Sequence, residues 1–194
     1  MPRIKYSHIL DSIMKMPVFG VKDLTDRGVS RGYARQRLHN LEKRGVIRRV
    51  ERGKYTSSDD PTVVAPYLTR PSYISLWSAM SIRALTTQIP FGVDVVTSRK
   101  RFNRRLDFMG ADIRFHHVAP SLMFGYEFIA WNDRWRLPVA KPEKIVIDAL
   151  YLRAIAPDEL EGVLDAVDDV LLLEYAELCG KKRVIRTVRR LMRC

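Results

Sequence analysis

Residues 30–45 hold a helix with both of its ends written into the sequence, and no other feature constrains the fold as much. Ser30 stands where an N-cap belongs and Gly45 where a left-handed C′ residue belongs. The spacing predicts a helix of about fourteen residues between them. Ala34, Leu38 and Leu41 recur at i, i+4 and i+7 as an inward stripe. Gly32, Arg35, Gln36, His39 and Lys43 make the opposite face, with Tyr33, Arg37 and Asn40 on the flanks. Such a face offers guanidinium donors to guanine, an amide to adenine and cations to phosphate.

The flanking segments complete a pattern. Upstream, Ile9, Leu10, Ile13 and Met14 keep a helical rhythm that Pro17 stops. Residues 21–26 allow about two more turns before Gly28, a corner residue tolerant of positive φ. Downstream, residues 46–56 read as strand, tight turn at Arg52-Gly53, and strand. Three helices and a basic hairpin predict a winged helix-turn-helix over residues 1–58, with Leu24, Leu38, Leu41, Ile47 and Tyr55 in its core. Its third helix would enter the major groove of double-stranded DNA, its helix N-terminus would favour a phosphate, and its wing would lie along the backbone. The residues expected to touch DNA are Lys22, Ser30, Arg31, Tyr33, Arg35, Gln36, Arg37, His39, Asn40, Lys43, Arg48, Arg49, Arg52 and Lys54. A winged helix used only for protein contact is the bland alternative. It fits poorly with 14 basic and 5 acidic side chains in residues 1–56, a net +9.

Over all 194 residues the balance is 34 Lys plus Arg against 22 Asp plus Glu, a net +12, with 46% hydrophobic residues. That is enough apolar content for a core and too little for a membrane span. The two cysteines, Cys179 and Cys194, form no CxxC pair, and the first residues lack the apolar stretch of a secretory signal. Both features predict a cytoplasmic protein without disulfides. The remaining charge is blocked. Arg99, Lys100, Arg101, Arg104 and Arg105 form a basic knot; residues 142–180 carry 2 bases and 10 acids; residues 181–193 carry seven bases and no acid. The knot and the tail could extend the phosphate contacts, or meet the acidic stretch of a second subunit. Oligomerisation stays open, since no heptad marks a dimer helix.

Residues 59–194 read as a second, larger domain beyond a polar hinge at residues 57–61. An apolar helix is expected over residues 71–82, strands over 93–97 and 111–118, and a hairpin from 126–131 and 135–139. Pro142 and Pro157 each open a helix, and the helical pattern then runs on with breaks near Asp168-Asp169 and at Gly180. The expected class is α+β: an N-terminal winged helix-turn-helix, then a domain with a small, mostly antiparallel sheet and C-terminal helices.

Three segments carry a family resemblance when set beside that N-terminal pattern. Residues 71–79 read Pro-Ser-Tyr-Ile-Ser-Leu-Trp-Ser-Ala, residues 114–118 Arg-Phe-His-His-Val, and residues 142–150 Pro-Glu-Lys-Ile-Val-Ile-Asp-Ala-Leu. From about residue 7 to residue 190 the chain resembles the AbiEi antitoxins, the regulator halves of type IV toxin-antitoxin systems. The resemblance implies a DNA-binding repressor of its own operon. It also implies a counterpart to a nucleotidyltransferase-like toxin, opposed without a stable complex. Stand-alone regulators with no toxin partner share the pattern.

Catalytic constellations are sparse. No [DE]-x-K, Walker loop, H-E-x-x-H or Gly-Ser with Asp-x-Asp occurs, and no cofactor or metal is expected. Gly28-Val29-Ser30-Arg31-Gly32 fits G-x-S-x-G, but a nucleophile there needs a preceding strand, and the segment before it reads as helix. His116 and His117 would face opposite sides of a strand and could not easily share one ion. Lys144 and Asp148 stand at i and i+4 on a helix and are expected to pair, with Glu143 in the first turn. Trp77, Trp131 and Trp135 read as packing residues. The chain therefore reads as a regulator and not an enzyme. The alternative is a nucleic-acid-acting enzyme that uses the winged helix for targeting.

Overall fold

A computed structural model describes residues 6–192. Residues 1–5, Arg193 and Cys194 lie outside the described residues, and with them the reading of the chain's opening and of its second cysteine. Helices α1 (Ser7–Met14), α2 (Val21–Thr25) and α3 (Arg31–Lys43) close on a small core that includes Ile13, Phe19, Leu24, Leu38 and Ile47. Gly45 ends α3 with φ +68°, as predicted. Ser30 holds the N-cap position, yet its hydroxyl makes no capping bond. Strands β1 (Arg48–Glu51) and β2 (Lys54–Thr56) form an antiparallel hairpin. Phe19 and Tyr55 exchange backbone hydrogen bonds of 2.9 and 2.7 Å, fastening the segment before α2 to β2. That bridge presses Gly20 onto the turn so closely that a Cβ there would overlap the Gly53 carbonyl.

The rest of the described chain forms one larger body. α4 (Pro61–Val64) is capped by Asp60, whose Oδ1 accepts from the Thr62 amide at 2.8 Å. There follow β3 (Ser72–Ile74), α5 (Leu76–Ile82), β4 (Gly92–Thr97), β5 (Arg105–Phe108), β6 (Ala111–His117), β7 (Tyr126–Ala130) and β8 (Arg136–Ala140). Among the described residues these strands make one six-stranded sheet in the order β5-β6-β4-β3-β8-β7. α6 (Pro142–Leu152) then packs near β8 and α5, and α7 (Glu161–Leu164), α8 (Asp169–Cys179) and α9 (Lys182–Leu191) cover it. Residues 143–150 are buried throughout. No helix of the described residues is long and apolar enough to cross a membrane.

The α+β class holds, with corrections. The sheet is larger than expected and mixed, since β3 pairs with β8 and β4 with β6 in parallel while the other pairs are antiparallel. Residues 72–74 form a central strand where a helix is predicted over 71–82. Ser72, Tyr73 and Ile74 are all buried. A short run buried on both faces lacks the alternation that marks a strand, so periodicity alone reads it as buried helix. Arg105, expected in the basic knot, begins β5 instead. Side chains of residues 57–61, the predicted hinge, make hydrogen bonds to both neighbouring bodies. Ser57 Oγ donates to the Met14 carbonyl (2.8 Å), and Trp131 Nε1 donates to the Asp60 carboxylate (2.8 Å).

Glu51 is the main electrostatic clasp between hairpin and sheet body. Its carboxylate accepts from Lys54 Nζ at 2.7 Å and from Arg101 Nη2 at 2.6 Å, and both cations also donate to the Leu68 carbonyl. Burial pushes the Glu51 carboxyl up, but hydrogen bonds from Lys54 and Arg101, with their charges, outweigh it and hold the group below the ordinary glutamate range. Beside it, Val18 and Val50 leave the small core and pack into the large one.

A second buried charge fixes the helix layer. Asp148 on α6, 1% exposed, accepts from Lys144 Nζ (2.6 Å), Ser75 Oγ (2.8 Å) and the Tyr73 hydroxyl (3.0 Å). Lys144, fully buried, lies 4.6 Å from the centre of the Phe124 ring. Burial, and then the charge of Asp148, push the Tyr73 phenol well above its ordinary value, so it remains a donor.

Two outcomes follow from these clusters. Lys144→Met leaves a lone carboxylate in the core and should cost about 3–5 kcal/mol in urea unfolding, whereas Lys144→Met with Asp148→Leu should cost less; a double variant no more stable than the single one contradicts this. The folded-state value of Glu51 is depressed, so its stabilisation is present above the ordinary glutamate range and lost as pH falls through the folded-state value. Glu51→Gln should therefore be about 1 kcal/mol less stable at neutral pH, and the gap should close in acid. A gap that stays constant from neutral pH to about pH 3 would refute the clasp.

Candidate nucleic-acid interface

On α3 the inward stripe is complete: Ala34 and Leu38 are 0% exposed and Leu41 6%. The other side is open, and its residues fall in two rows because a helix brings every fourth position into line. Arg31, Arg35, His39 and Lys43 form a row spanning about 18 Å, in which Arg31, Arg35 and Lys43 are cations. Gly32, Gln36 and Asn40 form the row beside it; all seven residues are exposed. Gly32 carries no side chain, so that row is low at its N-terminal end, and the space a Cβ would fill is open. Among the described residues no carboxylate pairs with Arg31, Arg35 or Lys43. The surface therefore presents free cations next to a pair of side-chain amides. Such an arrangement can bind phosphate along one edge and hydrogen-bond base edges along the other.

The flanking candidates divide. Ser30 is exposed at the N-terminus of α3 and Lys22 is exposed on α2. The Tyr33 ring packs edge-on against Tyr6 (5.7 Å, 65°) and is half-buried. Arg37 is also half-buried, with its Nε enclosed and unpartnered. On the hairpin, Arg49 and Arg52 are exposed and unpaired among the described residues. Arg48 pairs with Asp59, which holds its guanidinium more firmly charged and its own carboxyl lower. Both partners are well exposed, at 49% and 62%, so the pair can exchange for another anion at little cost. Lys54 is a correction: it turns back to Glu51 and the Leu68 carbonyl instead of facing outward.

Beside the hairpin, Arg99, Lys100, Arg101 and Arg104 gather with Thr97, Phe115 and His117 around a concavity of about 180 Å³. Two members of the basic knot depart from expectation. Arg101 is 12% exposed and engaged by Glu51, and its guanidinium stacks 4.0 Å from the centre of the Phe115 ring. Arg105 lies directly opposite Arg114, hence on the other sheet face from Phe115, and stands 3.9 Å from Asp112. The adjacent histidines separate as their strand position demands. His116 Nε2 lies 2.9 Å from Asp94 Oδ1, which belongs to a buried carboxylate also bonded by Arg114 (3.0 Å), while His117 is exposed at the concavity.

No strand precedes Ser30, which follows α2 and a turn with Gly28 at φ +83°, so the G-x-S-x-G pattern lacks the setting of a nucleophile. Among the described residues no group of three or more His, Cys, Asp or Glu side chains could hold a metal ion. Sequence reasoning overlooked Glu51 and Asp59, whose carboxylates decide which cations are free. The Glu51 and Lys54 pairing across a two-residue turn is legible locally; its link to Arg101, 50 positions away, is not.

No curated protein sequence matches the chain. A crystal structure of the RV2827C protein from Mycobacterium tuberculosis is similar over 97% of this chain and 82% of its own, with a TM-score of 0.55 and 15% identity, which makes it a likeness of fold. The family match stops after the hairpin, short of the residues 7–190 over which the sequence resemblance is expected. Residues 9–58, which include α2, α3 and the hairpin, match the family model described as "Transcriptional regulator, AbiEi antitoxin".

Proposed function

We propose that this chain is a sequence-specific DNA-binding regulator. Residues 1–58 act as a winged helix-turn-helix on double-stranded DNA, and residues 59–194 form the larger α+β domain packed against it. The observation that carries this reading is the open face of α3, where a row with three unpaired cations, Arg31, Arg35 and Lys43, runs beside Gln36 and Asn40 while every apolar residue of the helix faces inward. A helix about 10–12 Å across with its side chains fits a major groove about 12 Å wide. Arg35, Gln36 and Asn40 reach base edges; Ser30, Arg31 and Lys43 hold phosphates at the two ends; Lys22 on α2 approaches the backbone. Arg49 and Arg52 grip phosphates from the wing, joined by Arg48 once it releases Asp59.

The family description of residues 9–58 supports a regulator in place of an enzyme. With the resemblance of the longer chain, it supports an antitoxin-type autorepressor acting in the cytoplasm. Its counterpart is then a nucleotidyltransferase-like toxin, opposed without a stable complex. In this reading the buried polar groups of the sheet body serve architecture. Asp148 and Asp94 are satisfied by neighbouring side chains and stand away from solvent.

Footprinting on the DNA upstream of the chain's own gene tests the reading. Gln36→Ala should lower discrimination between the protected sequence and a scrambled duplex by about 1–3 kcal/mol. Arg49→Ala should weaken binding to both equally and reduce the slope of log K against log salt by about 1. Failure of the wild-type protein to bind any duplex at low ionic strength would overturn it.

A further inference from the structure

We infer that the apolar recess between α4, α5 and the loop of residues 88–91 is a binding site for a small, uncharged, mostly aromatic molecule, and that its occupation weakens the hold of the hairpin on DNA. The second clause rests on the function proposed above; the first stands on the recess alone. The recess measures about 350 Å³, within the roughly 300–1,000 Å³ of small-molecule sites. Its walls come from α4, α5, the starts of β4 and β6, and Trp131 just after β7. No charged side chain lines it, although 29% of the chain's residues are charged. An ion entering it would shed water without gaining an opposite charge, so the occupant is neutral.

The groups at the rim set the shape of that occupant. Ile89 and Phe91 stand 88% and 100% exposed on either side of Pro90, and both border the recess. Trp131 spends its indole NH on Asp60 (2.8 Å), so what it offers the recess is the apolar ring. A flat aromatic guest covers such rings well. Polar contacts are few. Ser78 Oγ is occupied by the Gly92 carbonyl and the Asp94 amide, whereas the hydroxyls of Thr62 and Ser81 make no hydrogen bond among the described residues. The guest therefore carries one or two polar groups of its own. Ile89, Phe91 and Trp131 can bury at most about 250 Å² each. Together they fall short of the roughly 800 Å² per partner of a standard protein interface, and a second copy would also bring a net charge of +12 against its like.

The recess touches the connection from hairpin to sheet body. Thr62 lies in the first turn of α4, and the Asp60 carboxylate that caps this turn also accepts from Trp131. The preceding residue, Asp59, holds Arg48 of the hairpin. A guest packed against Thr62 and Trp131 favours the arrangement in which Asp59 keeps Arg48. Duplex binding draws Arg48 away from Asp59, so guest and duplex oppose one another, and by linkage each lowers the affinity for the other.

The test titrates the full chain with indole and 1-naphthol by calorimetry, with indole-3-acetate as the charged control. The neutral compounds should bind saturably, the acetate about tenfold or more weakly. Ala111→Phe, which fills the recess, should abolish binding. If that variant loses thermal stability, Thr62→Val with Ser81→Ala serves instead and should weaken 1-naphthol about tenfold. Saturating 1-naphthol should lower duplex affinity about fivefold in the wild type and leave it unaltered in Arg48→Ala. Absence of saturable binding, binding that survives in the variants, or equal binding of the acetate would overturn the site. Binding with unchanged duplex affinity would support the site and overturn the coupling. A wild-type dimer in sedimentation that Ile89→Ser with Phe91→Ser turns into a monomer would make a second copy the occupant and overturn the small molecule. If the protein ignores DNA, the calorimetric arm still decides the recess, so the two failures are distinguishable.

Discussion

The sheet body depends on a carboxylate that water cannot reach. Asp148 would be prohibitively costly inside the protein if it were alone, and it is tolerated because Lys144, Ser75 and Tyr73 all donate to it. Those donors come from three elements: α6 itself, the strand β3, and the turn into α5. Satisfying the charge therefore fixes where α6 lies over the centre of the sheet. With α6 fixed, α7, α8 and α9 have a surface to cover, and the apolar positions of residues 143–150 lose contact with solvent together. A uniformly apolar helix could slide along such a sheet, whereas one carrying a buried ion pair cannot do so without stranding a charge.

The same principle operates more weakly at the junction between the small helical unit and the sheet body. Glu51, Asp59 and Asp60 each meet a cation or an indole NH, and Val18 and Val50 pack across the same boundary. The chain thereby sorts its positive charge. Lys54 and Arg101 are spent on architecture, while among the described residues the cations of α3, Arg49 and Arg52 on the hairpin, and Arg99, Lys100 and Arg104 have no carboxylate partner. Those free cations belong to two neighbouring regions joined through Glu51. Of the acids in residues 142–180, Glu143 and Asp148 are buried, and Glu177 pairs with Arg189 at 2.9 Å on the far helices.

Several elements were legible because their signals are local. Pro142 opening α6, the hairpin of β7 and β8, and the breaks at Asp168 and Gly180 each depend on a few adjacent residues. Two further signals were present and went unused. Asp60 followed by Pro61 marks the start of α4, and the alternation of Arg105, Leu106, Asp107 and Phe108 before Met109-Gly110 marks β5. β3 carried no such signal, since three consecutive buried residues have no period to detect.

By itself the sequence determined α3: its start, its end and the division of its surface into an apolar stripe and a polar face. A C′ glycine and a 3.6-residue period act within one element, so nothing distant can conceal them, although the Ser30 hydroxyl makes no capping bond. Only the tertiary structure decided which cations stay free, which strands run parallel, and that the segment after the hairpin is hydrogen-bonded to the bodies on either side of it. Those outcomes rest on partners far apart in the chain, Arg101 on Glu51 across 50 positions and Arg134 on Ser57 across 77. A long-range side-chain contact of that kind leaves no periodic trace in the sequence, and it exists only once the chain has closed the loop between its partners.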